Sequence, residues 1–400
     1  MTARGRLALA LGFAVYLIAW AFGSKALYPA AIGLMLVALL AWAWMRLARR
    51  PDRLSRMTRK REHFEGDDVE IALEVELGPG LLPPFPVVLH ERIAKLGARR
   101  TRLRRGGSRL RAAYVLERVP RGRYVLEQSR AVLEDPFGLA RAEVELPTGA
   151  PLLVYPRLVT LERLFSDAGA ALPEGRRLLL RRPSGFDLHS VREHQQGESL
   201  RHVHWRSTAK LGRLMVKELE DAPRDEVAVV LDARAGSAVG QSFDVQVRAA
   251  GSLLLAHARR RRRTLLLVNG LAPVLVETTA SDGDRLRVLE VLAAAEPDGH
   301  APLERVLADE ASPVGHALEL AVVTARLSHV LVDRLLLRAL ARRHVSVVYV
   351  DAASFGPATG AREPGLLRLQ AAGVPVAVVR NGDDLAAVLG GRALAEAVHA

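Results

Sequence analysis

The 400-residue chain contains no cysteine, which excludes disulfides, thiolate metal sites and a cysteine nucleophile. It also lacks the common motifs of nucleotide and hydrolase chemistry. There is no GxxxxGK[ST] phosphate loop and no strand-linked GxGxxG, and neither a GxSxG elbow nor an HExxH helix occurs. Aromatic residues are scarce, at 5%. Acid is in deficit: 57 Lys and Arg face 44 Asp and Glu, for a net charge of +13 and a pI near 10.7. What is present is an apolar fraction of 50% against 25% charged residues, which excludes general disorder. The length accommodates two or three domains.

The basic excess first suggests a nucleic-acid or anionic-membrane partner, but it is concentrated in three runs. Residues 46–61 are net +7, residues 99–111 carry seven Arg and no acid, and residues 259–263 are five consecutive Arg. The rest of the chain is net acidic. The run at 99–111 contains no aromatic residue, so it lacks the stacking platform of a single-strand nucleic-acid groove. It reads as a basic connection around Gly106-Gly107, facing an anionic membrane or an acidic protein. The run at 259–263 ends a helix, where cations complement the helix dipole.

Two uncharged stretches, residues 7–23 and 26–45, have the length of membrane spans, since a 20-residue helix crosses about 30 Å. Trp20, Tyr28, Trp42 and Trp44 lie near their ends, as interfacial aromatics do. Arg4 and Arg6 precede the first stretch, Lys25 alone lies between the two, and the run 46–61 follows the second. The positive-inside rule then places both termini in the cytoplasm. A cleaved signal peptide is the alternative for the first stretch. Residues 46–61 read as a juxtamembrane stop-transfer segment.

The hydrophobic period becomes two from Asp67, where Val69, Ile71, Leu73, Val75 and Leu77 alternate with glutamates. Strands are predicted over 87–93, 110–116, 123–133, 139–146 and 152–155, with Asp135-Pro136-Phe137-Gly138 as a tight turn. A small antiparallel β-sandwich-like domain is expected at 62–160, followed by a linker and motif segment at 161–225. From 226 to 400, apolar runs alternate with helical spacing. Strands are predicted at 227–231, 264–268, 320–323, 345–350 and 374–379, as in a doubly wound α/β domain. The fold class is α+β multidomain, with the transmembrane hairpin at 1–61.

Residues 185–220 concentrate Arg, His, Glu and one Trp. Arg192, Glu193, Arg201, Trp205, Arg206, Lys210 and Arg213 are candidates for a buried or half-buried polar network, because guanidinium groups pair with carboxylates and stack on indole. His194, His202 and His204 fall within a short span, and imidazole favours zinc. No carboxylate completes a ligand set, so structural hydrogen bonding is the default reading. The segment resembles the domain of unknown function 58 family through Val191, Arg192, Glu193, Gly197, Arg201, His204, Trp205, Ser207, Thr208, Ala209, Lys210, Gly212, Leu214, Val216, Lys217 and Glu218. His194 and Glu198 depart from its usual aromatic and Asp. Arg121-Gly122-Arg123-Tyr124, Asp135–Leu139 and the N-terminal hairpin also look like that family.

The resemblance implies a von Willebrand factor A-like C-terminal domain and association with MoxR-type AAA+ ATPases. In such domains the first strand ends in Asp-x-Ser-x-Ser, which coordinates Mg²⁺. Here it reads Asp232-Ala233-Arg234-Ala235-Gly236, so only Asp232 of that site remains and no cofactor is expected. The resulting expectation is a non-catalytic, membrane-anchored scaffold or adaptor with a cytoplasmic protein-binding domain and no small-molecule substrate. The alternative is a metal-dependent hydrolase centred on Asp232 and the His194/His202/His204 cluster.

Overall fold

The computed structural model describes residues 1–107, 109–169, 188–193, 205–219, 226–278, 281–309, 312–341, 343–357 and 363–390. Side chains are described for all of these except 168–169, 188–193, 216–219 and Asp282. The chain divides into two compact units, Met1–Tyr155 and Pro156–Ala400.

The first unit opens with two antiparallel helices, α1 (Ala3–Ala21) and α2 (Leu27–Leu47), both long and apolar enough to cross a membrane. The buried positions on each helix are seven apart, and all but Met45 are small. Gly5, Gly12 and Ala19 are buried on α1, and Ala31, Ala38 and Met45 on α2. Close backbone approach through small residues is how helices associate in an apolar medium. Many large apolar side chains are open: Leu7 is 69% exposed, Trp20 72% and Leu40 62%.

Seven strands follow: β1 (Pro51–Thr58), β2 (Val69–Leu77), β3 (Val87–Ile93), β4 (Gly97–Gly106), β5 (Arg109–Leu116), β7 (Leu126–Glu134) and β8 (Arg141–Glu145). Their order is β1-β2-β5-β4-β3-β7-β8, with every pairing antiparallel. A separate ribbon pairs β6 (Gly122–Tyr124) with β9 (Leu152–Val154). β4 pairs with β3 through residues 97–103 and with β5 through 104–106. It therefore links two halves of the sheet around one core, which contains Leu73, Val75, Leu89, Leu103, Leu110 and Leu133.

Two sequence expectations are corrected here. Residues 51–58, read as juxtamembrane segment, are strand β1. Residues 99–111, read as a connection, are most of β4 and the start of β5, with only the turn at Gly106-Gly107 between them. In both cases the strand was hidden because arginines break the apolar alternation and few inward positions are apolar. Arg56 turns inward and is mostly buried (12% exposed), while Leu103 is the one buried residue of β4. The basic run also finds acid across the sheet. Arg109 meets Glu74 and Glu76 at 3.1 and 2.9 Å, and Arg111 meets Glu74 at 2.8 Å. Arg111 holds the Glu74 carboxyl below its ordinary range.

The second unit holds a short ribbon, β10 (Leu188–Glu193) with β11 (Met215–Leu219), and a six-stranded sheet. The sheet strands are β12 (Val227–Asp232), β13 (Thr264–Asn269), β14 (Val274–Thr278), β15 (Glu319–Thr324), β16 (His344–Val350) and β17 (Val376–Val379). Their order is β14-β13-β12-β15-β16-β17. All pairs are parallel except β13–β14. Edge strand β14 was not foreseen, since two of its three apolar residues face out: Val274 is 39% exposed and Leu275 40%.

The helices are α3 (Phe165–Gly169), α4 (Trp205–Leu211), α5 (Ser242–Arg259), α6 (Asp282–Ala294), α7 (Leu303–Val306), α8 (Pro313–His316), α9 (His329–Leu340), α10 (Pro364–Ala371) and α11 (Leu385–Leu389). Strands apolar at every position bury both faces. Val227, Val229 and Leu231 of β12 pack with α5, α6 and α11. Ala228 and Val230 pack with α7, α9 and α10.

Candidate functional site

Two places carry the residues singled out from sequence. The first is the signature segment. Its backbone forms the antiparallel ribbon β10–β11, which pairs Ser190 with Glu218, Val191 with Lys217, Arg192 with Val216 and Glu193 with Met215. The helix α4 precedes β11. Gly212 ends it at φ +66°, donating to the Thr208 carbonyl at 2.9 Å, a left-handed cap that suits a residue without Cβ. The Met215 N–H then donates to Thr208 Oγ1 at 3.0 Å.

The ribbon thus brings the backbones of Arg192, Glu193 and Glu218 together, near the strand that α4 leads into. The buried network is corrected for the described side chains. Trp205 is 68% exposed, and Arg206, Ala209, Lys210 and Arg213 are exposed as well, because α4 has no buried residue. Gly197, Arg201, His194, His202 and His204 lie outside the described residues.

The second place is the carboxyl end of the six-stranded sheet. β12 lies between β13 and β15, and the helices that follow β12 and β15, α5 and α9, cover opposite faces of the sheet. Ligands of open parallel sheets bind at such a point, outside the strand ends. Asp232 closes β12 there and is 3% exposed. The Thr324 hydroxyl, at the end of β15, donates to its Oδ2 at 2.8 Å. Asn269 ends β13 opposite Asp232 and donates from Nδ2 to the Ala301 carbonyl at 2.9 Å. Burial pushes the Asp232 carboxyl above its ordinary range, and the Thr324 hydroxyl and Arg234 pull the other way.

Sequence reading found Asp232 but missed Thr324 and Asn269. The available signal was a polar residue directly ending an apolar strand run, the same signal that marks Asp232. The loop after β12 is closed by residues 298–300. Gly299 donates to the Ala233 carbonyl and accepts from the Ala235 N–H, both at 2.8 Å. A Cβ on Gly299 would strike the Asn269 carbonyl and sit 3.0 Å from that of Ala233.

The donor set does not fit a divalent cation. One carboxylate is present, and the Arg234 guanidinium acts on it electrostatically. Ser237 spends its hydroxyl proton on the Arg234 carbonyl at 2.6 Å. Among the described residues, no group of three His, Asp or Glu side chains is placed to hold a metal.

The third basic run lies around the opposite, amino end of the same sheet, and three of its five arginines are ion-paired. Arg260 reaches Asp167 at 2.8 Å, Arg262 reaches Glu319 at 2.5 Å, and Arg263 reaches Glu277 at 2.7 Å. The expectation of a simple solvated helix end is corrected accordingly. Burial pushes the Asp167 carboxyl up, but the Arg260 hydrogen bond, the Leu164 N–H and the nearby positive charge together outweigh it and its pKa falls. His257, 1% exposed, lies 3.8 Å from Glu319, and burial lowers its pKa to about 4.

Two cavities among the described residues lie away from Asp232. One of about 360 Å³ is lined by Arg92, Glu127, Ser129 and Glu145 of the first unit. The other, of about 290 Å³, is lined by Asp309, His316, Arg334, Arg338 and Arg343.

No curated protein matches the sequence. Among solved structures, Cwp6 from Clostridium difficile is similar at 6% identity and a TM-score of 0.20, over 83% of this chain and 38% of that one. A Paenibacillus sp. cycloisomaltooligosaccharide glucanotransferase complexed with cycloisomaltoheptaose is similar at 11% identity and a TM-score of 0.16, over 77% of this chain and 47% of that one. The chain spans less than half the length of either, and at such scores neither likeness bears on fold or function. The family model described as protein of unknown function DUF58 matches residues 190–361, a stretch that runs from the β10–β11 ribbon through the sheet as far as β16. This match supports the resemblance to the domain of unknown function 58 family over residues 190–361.

Proposed function

We propose that this protein is a membrane-anchored, non-catalytic scaffold whose second unit binds protein partners on the cytoplasmic side. The observation that carries the reading is apolar surface on the helical layer of that unit. On α9, Val330 is 58% exposed, Leu337 67% and Leu340 79%, and Leu367 of the adjoining α10 is 67% exposed. The spacing i, i+7, i+10 keeps the α9 residues to one side of the helix, opposite the buried Leu331, Val332 and Leu335. Exposed apolar surface of this kind marks interaction sites.

The strand order and the two helical layers support a doubly wound, von Willebrand A-like arrangement. Arg4, Arg6 and the basic residues after α2 support the cytoplasmic orientation. The family resemblance supplies the partner, a MoxR-type AAA+ ATPase. Affinity capture of the full chain from detergent-solubilised membranes, with a non-hydrolysable nucleotide present, recovers that ATPase. The Leu337→Glu/Leu340→Glu double variant recovers severalfold less. Recovery of no ATPase by the parent protein refutes the partner, and equal recovery by the variant refutes the surface.

A further inference from the structure

Two loops of the first unit are fastened to the same end of the helical hairpin, and each carries a large apolar residue in the open. The first is the turn between β7 and β8. The Thr2 N–H donates to the Leu139 carbonyl at 3.0 Å, and the Thr2 hydroxyl to the Gly138 carbonyl at 2.6 Å. Gly5 admits this approach, because a Cβ there would collide with the Leu139 carbonyl. Asp135 holds the turn from inside, accepting from the Phe137 and Ala140 N–H groups at 3.0 and 2.5 Å. Phe137 is left 70% exposed.

The second is the loop between β2 and β3. The Leu81 and Leu82 N–H groups donate to the Leu47 carbonyl at 2.9 and 3.2 Å, and the Arg49 N–H to the Leu82 carbonyl at 2.9 Å. The Trp44 indole donates to the Pro83 carbonyl at 3.0 Å. Leu81 is 84% exposed.

The start of α1 and the end of α2 define one level along the hairpin. It is also the level at which the uncharged stretches give way to Arg4, Arg6, Arg46, Arg49 and Arg50, all exposed. A short polypeptide segment rigidly bonded to a helix end shares the depth of that end. Apolar side chains there gain by entering the headgroup–acyl boundary, and the adjacent arginines gain from anionic headgroups. We propose that Phe137 and Leu81 are interfacial anchors, seated in the lipid boundary of the leaflet that the β unit faces. The proposal rests on the reading that α1 and α2 span a bilayer. It makes the β unit a body resting on the membrane rather than one tethered below it.

The absence of cysteine lets single-site labels be placed without altering the background. Full-length Phe137→Cys, Leu81→Cys, Leu36→Cys and Val115→Cys variants carry a nitroxide in nanodiscs of phosphatidylcholine and phosphatidylglycerol. Accessibility to oxygen and to a water-soluble nickel complex then reports depth. Leu36, mid-way along α2, tests the span. Val115, 48% exposed near the far end of β5, tests water. All four positions are largely open, so the labels displace no core.

The expected result is oxygen dominance at Leu36, nickel dominance at Val115, and oxygen-to-nickel ratios at Phe137 and Leu81 severalfold above that of Val115. If Leu36 is nickel-accessible, the span itself fails and the anchors fail with it. If Leu36 is in lipid while Phe137 and Leu81 match Val115, the span stands and the anchor proposal alone is overturned.

Discussion

Replacing Arg56 by Leu is expected to cost the β unit about 3–5 kcal/mol, the usual penalty for stranding one member of a buried ion pair. The magnitude follows from the partner left behind. Glu91 is 1% exposed, and its Oε1 accepts the Arg56 Nε–H at 2.8 Å. The same guanidinium donates to Ser129 Oγ at 2.5 Å and to the carbonyls of Pro147 and Thr148 at 3.0 and 2.8 Å. Arg56 therefore clips β1, at one end of the strand order, to β3 and β7 in the other half. Glu91→Leu is expected to cost less, about 1–3 kcal/mol, because Arg56 keeps three acceptors and a path to water. The double replacement removes both charges and is expected to lie close to the milder single. This corresponds to a coupling of about 3–5 kcal/mol. Urea unfolding of the full chain in nanodiscs, followed by amide hydrogen exchange in β3 and β7, reads the β unit separately. A cost below about 1 kcal/mol for Arg56→Leu, or strictly additive singles, refutes the assignment of a buried, coupled pair.

Three further outcomes are expected. His257, facing Glu319, Arg262, Arg260 and Asp167, has its pKa lowered from 6.5 to about 4, chiefly by burial. The unfolded chain then binds the proton more tightly, so stability is full above pH 6.5 and falls toward pH 4 with a slope approaching about 1.4 kcal/mol per pH unit. Tm measured across that window should fall more steeply for the parent than for His257→Gln, and parallel profiles would contradict it. Gly299→Ala should cost about 1–3 kcal/mol by overpacking and speed amide exchange at 233–237; unchanged exchange there would show that the loop does not depend on this contact. Asp232, whose carboxyl is pushed up by burial, disfavours folding once the pH exceeds its unfolded value. Asp232→Asn should therefore leave Tm at pH 7 equal or raised, and a drop of several degrees would show that the negative charge itself is used, as by a bound cation.

The parts of this fold legible in sequence are those in which burial and hydrophobicity coincide. β12 is apolar at every position before Asp232, so its place inside a parallel sheet could be read directly. β2 alternates with glutamates, so its wet face was equally plain. β1 and β4 were lost because arginine occupied positions that a strand pattern reserves for other residues. The acid that answers those arginines lies across the sheet, Glu91 for Arg56 and Glu74 for Arg111, where no count along the chain can find it. The same separation hid the partners of 259–263 at Asp167, Glu277 and Glu319. At the candidate site, Asp232 was visible from its strand, whereas Thr324 joins it only because β15 is its neighbour in a sheet order that skips β13 and β14.

The junction between α2 and β1 also has a mechanical consequence. Only Ala48, Arg49 and Arg50 separate the two elements. The Ala48 N–H still caps the helix on the Trp44 carbonyl at 2.7 Å, and Arg49 is bonded to Leu82. No slack remains, so α2 and the β1–β2 layer turn as one lever. A 21-residue helix is about 30 Å long, and a tilt of about 10° moves its far tip by roughly 5 Å. The same rotation passes into β2 through the β1–β2 register, from Pro51 opposite Leu77 to Thr58 opposite Ile71. If α1 and α2 span a bilayer, a change in its thickness that tilts the hairpin would be delivered to the sheet as torque.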